Sequence, residues 1–163
     1  MTTLLDVPVA TPASLRTWAA PAIDGFLRLA DFWEWTGDQR AQALGHSVRR
    51  QTISEWRSRP PESISADQLL RISYLLALYE GLMRFFGLEQ EAVRQWMRRR
   101  NVEAPFHGRT PEEFILPGGI PALHLARGYV DGLTGGPPSR TFTAESLPAP
   151  THALPLPPDS ASW

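Results

Sequence analysis

Residues 65–87 read SADQLLRISYLLALYEGLMRFFG, and the fold turns on how this stretch is bounded and where its apolar side chains fall. Ser65 followed by Gln68 is a capping-box pattern at a helix start, and Gly87 supplies the stop. On a helical wheel Ser73, Ala77, Glu80, Gly81 and Arg84 gather on one side. Leu69, Ile72, Leu75, Leu76, Leu78, Tyr79, Leu82, Phe85 and Phe86 take most of the rest. So wide an apolar arc predicts a helix buried on several sides, the spine of its fold. Its greasiest part, Ile72 to Phe86, is broken by Glu80 and Arg84 and is too short to span a membrane.

The segments on either side are also periodic at helical spacing, and none alternates as a strand would. Upstream, Pro21 to Trp35 carries Ile23, Phe26, Leu27, Ala30, Phe32, Trp33 and Trp35 away from Asp24, Arg28 and Asp31. Thr36 with Gln39 then caps a short helix that Gly45 ends, and a third helix is expected from Val48 to Arg59, stopped by Pro60-Pro61. Downstream, Glu89 to Arg100 is expected as a helix with Val93, Trp96 and Met97 inward. A short helix capped by Thr110 follows, and a last one runs from Ile120 to Leu133 with Pro121 in its first turn. The fold class is therefore all-α. The divisions are an N-terminal segment (1–20), a helix-turn-helix region (21–64), a second helical domain (65–136) and a Pro-rich tail (137–163), which holds seven of the sixteen prolines and is expected to be extended.

At 163 residues, 42% hydrophobic and 20% charged, the chain suffices for one real core but not for two large domains. A net charge of -1 excludes the bulk basicity of a coat-like nucleic-acid binder but leaves room for a local basic face. All sixteen basic residues are Arg. No cysteine is present, which excludes disulfides, thiolate metal sites and Cys nucleophiles. With no basic apolar leader in MTTLLDVPVATPAS, a soluble cytoplasmic protein is the expectation.

Residues 36–59, TGDQRAQALGHSVRRQTISEWRSR, have the order of a helix-turn-helix. Gly45 serves the turn, Leu44, Ile53 and Trp56 can lock the pair, and Arg49, Arg50, Gln51, Thr52, Ser54 and Arg57 are candidates to meet DNA. Arg49 or Arg50 could fork onto a guanine and Gln51 could pair with adenine. Two packed helices with a solvated Arg face would give the same pattern, and the turn is about two residues longer than the commonest form. Arg94, Arg98, Arg99 and Arg100 cluster at a helix end, where they read first as a solvated face that suits the dipole; a patch for phosphate or an acidic partner is the functional alternative. His46, His107, His124 and His152 are scattered, so no metal or other cofactor is expected; with no nucleophile elbow or phosphate loop, neither is catalysis.

In NVEAPFHGRTPEEFILPGG, residues 101–119, Thr110 caps with Pro111 at the first helical position and Glu113 at the third. Gly108 supplies a bend, and Phe106, Phe114, Ile115 and Leu116 can anchor it. Such a device holds a surface loop in one conformation, which lowers the entropy lost when a partner docks. It would also serve as a plain connector.

Taken together, LLRISYLLALYEGLMRFFG, VRQWMRRRNVEAPFHGRTPEEFI and the closing helix with Gly135-Gly136 resemble the toxin-binding domain of the Xre/MbcA/ParS antitoxins. In that family a long "LxRISYLLxIYxxLxxLF" helix precedes "WLxxPNxxPPFxGRSPLxxL". Arg71-Ile72-Ser73-Tyr74-Leu75-Leu76, Trp96, Asn101, Pro105-Phe106 and Gly108-Arg109-Thr110-Pro111 stand in register, whereas Arg100 replaces the family's first proline. The resemblance covers about residues 65–136 and implies an antitoxin that neutralises a RES-domain, NAD-degrading toxin and represses its own operon as a dimer on operator DNA. Toxin contact would then fall on Phe106, His107, Gly108, Arg109, Thr110 and Pro111, with Arg127 on the closing helix. From a different class, a stand-alone helix-turn-helix regulator with a C-terminal interaction domain is the alternative.

Overall fold

Four helices begin on a Ser or Thr that accepts a backbone N–H three residues on. Thr11 takes that of Ser14, Thr36 that of Gln39, Ser65 that of Gln68 and Thr110 that of Glu113. In the last three the Gln or Glu reaches back to the cap's own N–H, completing the box. The computed structural model describes residues 11–135. Within them the regular structure is entirely helical: α1 (Pro12–Phe32), α2 (Gly37–Ala43), α3 (Arg50–Glu55), α4 (Ala66–Phe85), α5 (Gln90–Trp96) and α6 (Pro111–Leu133). The tail 137–163, His152 within it, and the first ten residues of the expected N-terminal segment lie outside the described residues.

Several boundaries differ from those expected, each for a local reason. α1 starts at Pro12 rather than Pro21, so most of the second half of the expected N-terminal segment is helix. Thr11-Pro12 is the cap-plus-proline signal, and Pro21 is an interior proline that forgoes one ladder bond. α3 is half the expected length. Ser54 and Ser58 turn their hydroxyls onto Gln51 and Glu55 carbonyls, the local bonding that competes with helix propagation. α5 stops at Trp96, where Arg98 N–H bonds back to Gln95 in a tighter turn. The Thr110-capped helix and the closing helix, expected to be separate, adjoin within α6 and are broken only at Gly119 (φ 66°, ψ -153°), a conformation reserved for glycine.

α4 is the spine that its sequence foretells. It packs on α1 along one side and α6 along another, with α5 against it, while α2 bridges α3 and α6. Gly81 leaves room for α6, since a β-carbon there would sit 2.6 Å from Val130 Cγ1. One continuous hydrophobic cluster runs from Ala19 to Val130 and crosses the expected boundary at 64/65. Two aromatic groups stiffen it. Phe32, Trp33, Trp35 and Tyr79 meet edge-on or tilted, with Trp33 Nε1 donating to the Val93 carbonyl (3.4 Å). Phe106 stands edge-on to Trp96, Phe114 and Tyr129.

Gly81→Ala should lower the melting temperature. Overpacking costs about 1–3 kcal/mol, which exceeds the gain of about 1 kcal/mol from replacing a helical glycine. Adding Val130→Ala should make Gly81→Ala stabilising in that background, read by thermal denaturation of the double-mutant cycle. Additive effects would show that the two helices do not meet there.

Candidate functional site

Two surfaces come out of the fold: the α2–α3 pair and the loop leading into α6. In the first, Leu44, Ile53 and Trp56 are buried and lock the helices, as the pattern requires. The connection 44–49 carries two successive left-handed residues, Gly45 (φ 70°) and His46 (φ 57°), which absorb its extra length. Arg49, Arg50, Gln51, Thr52, Ser54 and Arg57 are all exposed. Their chemical situations differ. Arg57 bonds Asp31, which Arg40 also holds (2.9 Å), so Arg57 ties the end of α3 to α1. Arg50 pairs with Asp38 (3.4 Å) in an open position where such a pair contributes roughly 0–1 kcal/mol and exchanges readily. Arg49 makes no ion pair among the described residues. The face most available to a phosphate is therefore the first turn of a six-residue helix, about 9 Å long.

The second surface is built by hydrogen bonds that close on themselves. Asn101 N–H donates to Arg109 O (3.0 Å) and Gly108 N–H to Asn101 O (2.7 Å), clasping the loop at its neck. Asn101 Oδ1 accepts Glu103 N–H (3.0 Å) and its Nδ2 donates to Tyr129 Oη (3.1 Å). His107 and Gly108 take positive φ (50° and 89°), and the Ala104–Pro105 bond is cis. Arg109 lays its guanidinium over Phe114 (5.2 Å), and Glu112 N–H bonds Met97 O (3.1 Å), pinning the start of α6 to the end of α5.

Of the side chains expected to meet a partner here, His107 and Arg109 are exposed and Gly108 and Thr110 are half-buried. Phe106 and Pro111 are interior, holding the loop from beneath. Arg127 is only 7% exposed. It lies 3.5 Å from Asp131 Oδ2 within the α4–α6 contact, where its charge also eases Glu80, whose carboxyl burial pushes up. Burial drives the Tyr74 hydroxyl up to about 12, against the pull of Arg127, and Tyr74 Oη lies 3.1 Å from His124 Nδ1. In this conformation Arg127 is thus an internal counter-charge. Among the described residues no group of His, Asp or Glu converges as a metal site would require, and no helix is long and apolar enough to cross a membrane.

Two positions marked in the sequence only by a cap and by a motif, Gln39 and Arg71, hold α2 and its turn to α6. Gln39 caps α2 with Oε1 and donates from Nε2 to Glu112 Oε1 (3.0 Å), across an open cleft of about 510 Å3 that Arg98 also lines. Arg71 of α4 pairs with Asp67 (2.8 Å), and its guanidinium lies against both Gly45 and Gly119. The spacing Thr36-x-x-Gln39 marks Gln39 as a capping partner, but nothing in it shows the second bond, to Glu112. Arg71 gave no signal beyond its place in the Arg-Ile-Ser-Tyr block.

No family model matches the chain. A protein of Sinorhizobium fredii (strain NBRC 101917 / NGR234) named "Uncharacterized protein y4oB" is 29% identical to it over 126 residues, 77% of this chain and 94% of that relative.

Burial raises the pKa of Glu112, with the Arg98 charge and the Gln39 bond opposing. A carboxyl whose folded pKa is raised costs stability when ionised; the cost is complete above the folded pKa, shrinks as pH falls through it and is gone below the ordinary carboxylate value. Glu112→Gln, which keeps an acceptor for Gln39, should therefore raise the melting temperature at neutral pH. The gain should shrink towards zero in mildly acidic buffer, followed by calorimetry across that range; a pH-independent gain would assign it to something other than ionisation.

Proposed function

We propose that this chain is an antitoxin of the Xre/MbcA/ParS type, which binds a RES-domain, NAD-degrading toxin through residues 101–113 and operator DNA through α2–α3. The observation that carries the reading is the loop from Asn101 to Thr110. Its shape is held from within by the Asn101 clasp and the Phe106 anchor, while His107 and Arg109 face outward. A surface ordered before a partner arrives loses little entropy on docking. Neutralisation needs no chemistry from the antitoxin itself. A rigid protrusion that covers the entry to an NAD-binding site would stop turnover by exclusion, and the chemistry would remain the toxin's. Arg49, Arg50, Gln51 and Thr52 support the DNA half as an exposed basic first turn on a locked helix pair.

The reading requires a RES-type reading frame beside the gene for this chain; its expression alone should arrest growth and deplete cellular NAD, and co-expression of this chain should restore both. Arg109→Glu should weaken the copurified complex strongly while lowering the melting temperature only slightly, by the share that its contact with Phe114 holds. A neighbour no more harmful without this chain would sink the antitoxin reading and leave the stand-alone regulator.

Operator binding is tested separately. Arg49→Ala should weaken binding across all sequences and reduce the slope of log affinity against log salt by about 1. Arg57→Ala should instead lower thermal stability, because Arg57 holds Asp31. An Arg49→Ala protein with unchanged affinity and slope would move DNA contact away from this turn.

A further inference from the structure

Four large hydrophobic side chains are exposed among the described residues: Phe85 (45% exposed), Leu88 (70%), Val102 (83%) and Leu125 (51%). Phe85 and Leu88 flank Phe86 on the α4–α5 connection, with the Phe85 and Phe86 rings 4.9 Å apart. Phe86 and Val102 in turn share a groove of about 520 Å3 with Trp96, Tyr129, Arg99 and Arg100. The groove floor is rigid. Phe106, fully buried, stands edge-on to both Trp96 (5.7 Å) and Tyr129 (5.2 Å), and Asn101 fixes the Tyr129 hydroxyl.

The rim is cationic. Arg99 donates to the Gln95 side chain and Arg100 to the Gly108 carbonyl (3.2 Å), and neither has a carboxylate partner among the described residues. Apolar side chains left in water beside two arginines that lack carboxylates make a surface with one half of a complementary pair missing.

We propose that this groove docks a protein segment presenting an aromatic or large aliphatic side chain flanked by carboxylates. It rests on the partner-binding reading above for which protein carries the segment, and on the groove alone for its chemistry. The apolar anchor would enter between Phe86, Val102 and Tyr129, and the flanking carboxylates would take Arg99 and Arg100. A nucleic-acid strand fits less well. The Trp96 and Tyr129 rings are already engaged with Phe106 and Trp96 is nearly buried, so little ring face is open for base stacking. A second copy related by a two-fold axis would bring the same arginines together.

The test uses the full chain and three acetylated hexapeptides: EEFLDE, its neutral analogue QQFLNQ, and EEAADE, which lacks the anchor. Amide shifts followed by NMR should mark Val102, Tyr129 and the Trp96 indole on adding EEFLDE, with each analogue binding at least about tenfold weaker. Arg99→Glu with Arg100→Glu should abolish binding of EEFLDE and create binding of KKFLKK. Val102→Asp, at a side chain too exposed to threaten the fold, should weaken EEFLDE binding at unchanged melting temperature. Equal binding of QQFLNQ, no groove shifts with any peptide, preferential binding of octathymidylate there, or groove shifts that grow with protein concentration alone would each overturn the proposal. The growth assay keeps the two readings apart. Rescue without peptide binding removes the groove and leaves the antitoxin, whereas peptide binding without rescue removes the antitoxin and leaves the groove.

Discussion

A helix that is apolar around most of its circumference has no stable existence until it is covered, and α4 is such a helix. Its two long neighbours are therefore not free to choose their places: α1 must lie along one flank and α6 along another. Because α1 leads straight into α2 and α2 also touches α6, covering α4 draws the helix pair into the same body as the loop at 101–110. The bare glycine at 81 sets how closely the cover can fit. Everything that could meet a partner, basic first turn and clasped loop alike, is carried by elements whose positions this one burial requirement dictates.

Much of the fold was legible because the signals that mark it are local. Capping boxes at Thr36, Ser65 and Thr110 depend on residues three apart, and the arc of α4 is a matter of periodicity. Boundaries went astray where two local signals compete. Pro12 and Pro21 both look like helix starts, and the Thr11 side-chain cap, which Ala20 cannot supply before Pro21, sets the start at Pro12. The site was legible by type but not by direction. Phe106, Pro111 and Arg127 stand in a motif with His107 and Arg109, and no spacing rule distinguishes the side chain beneath a loop from the one above it. Long-range partners such as Glu112 for Gln39 have no trace in the chain at all, since they depend on how α2 meets α6.

The loop at 101–110 has two faces with different characters. Outward, His107 and Arg109 are polar and set on a frame of backbone bonds. Sideways, Val102 borders an aromatic-floored groove whose arginines, Arg99 and Arg100, have no carboxylate partner among the described residues. A single rigid segment can thus offer a partner both orientation and an anchoring pocket, which is the division of labour between polar rim and apolar centre common in protein interfaces.

Arg71 lies against two glycines, one at the α2–α3 turn and one at the break in α6, both with positive φ. These three positions, far apart in the chain, form a small lock that evolution must edit as a set. A side chain gained at 45 would collide with the guanidinium, and a shorter residue at 71 would leave both turns without their common support. In diverging relatives the three should drift together or not at all. A chain that has lost the arginine should show its α2–α3 pair and its closing helix set at a different angle to each other.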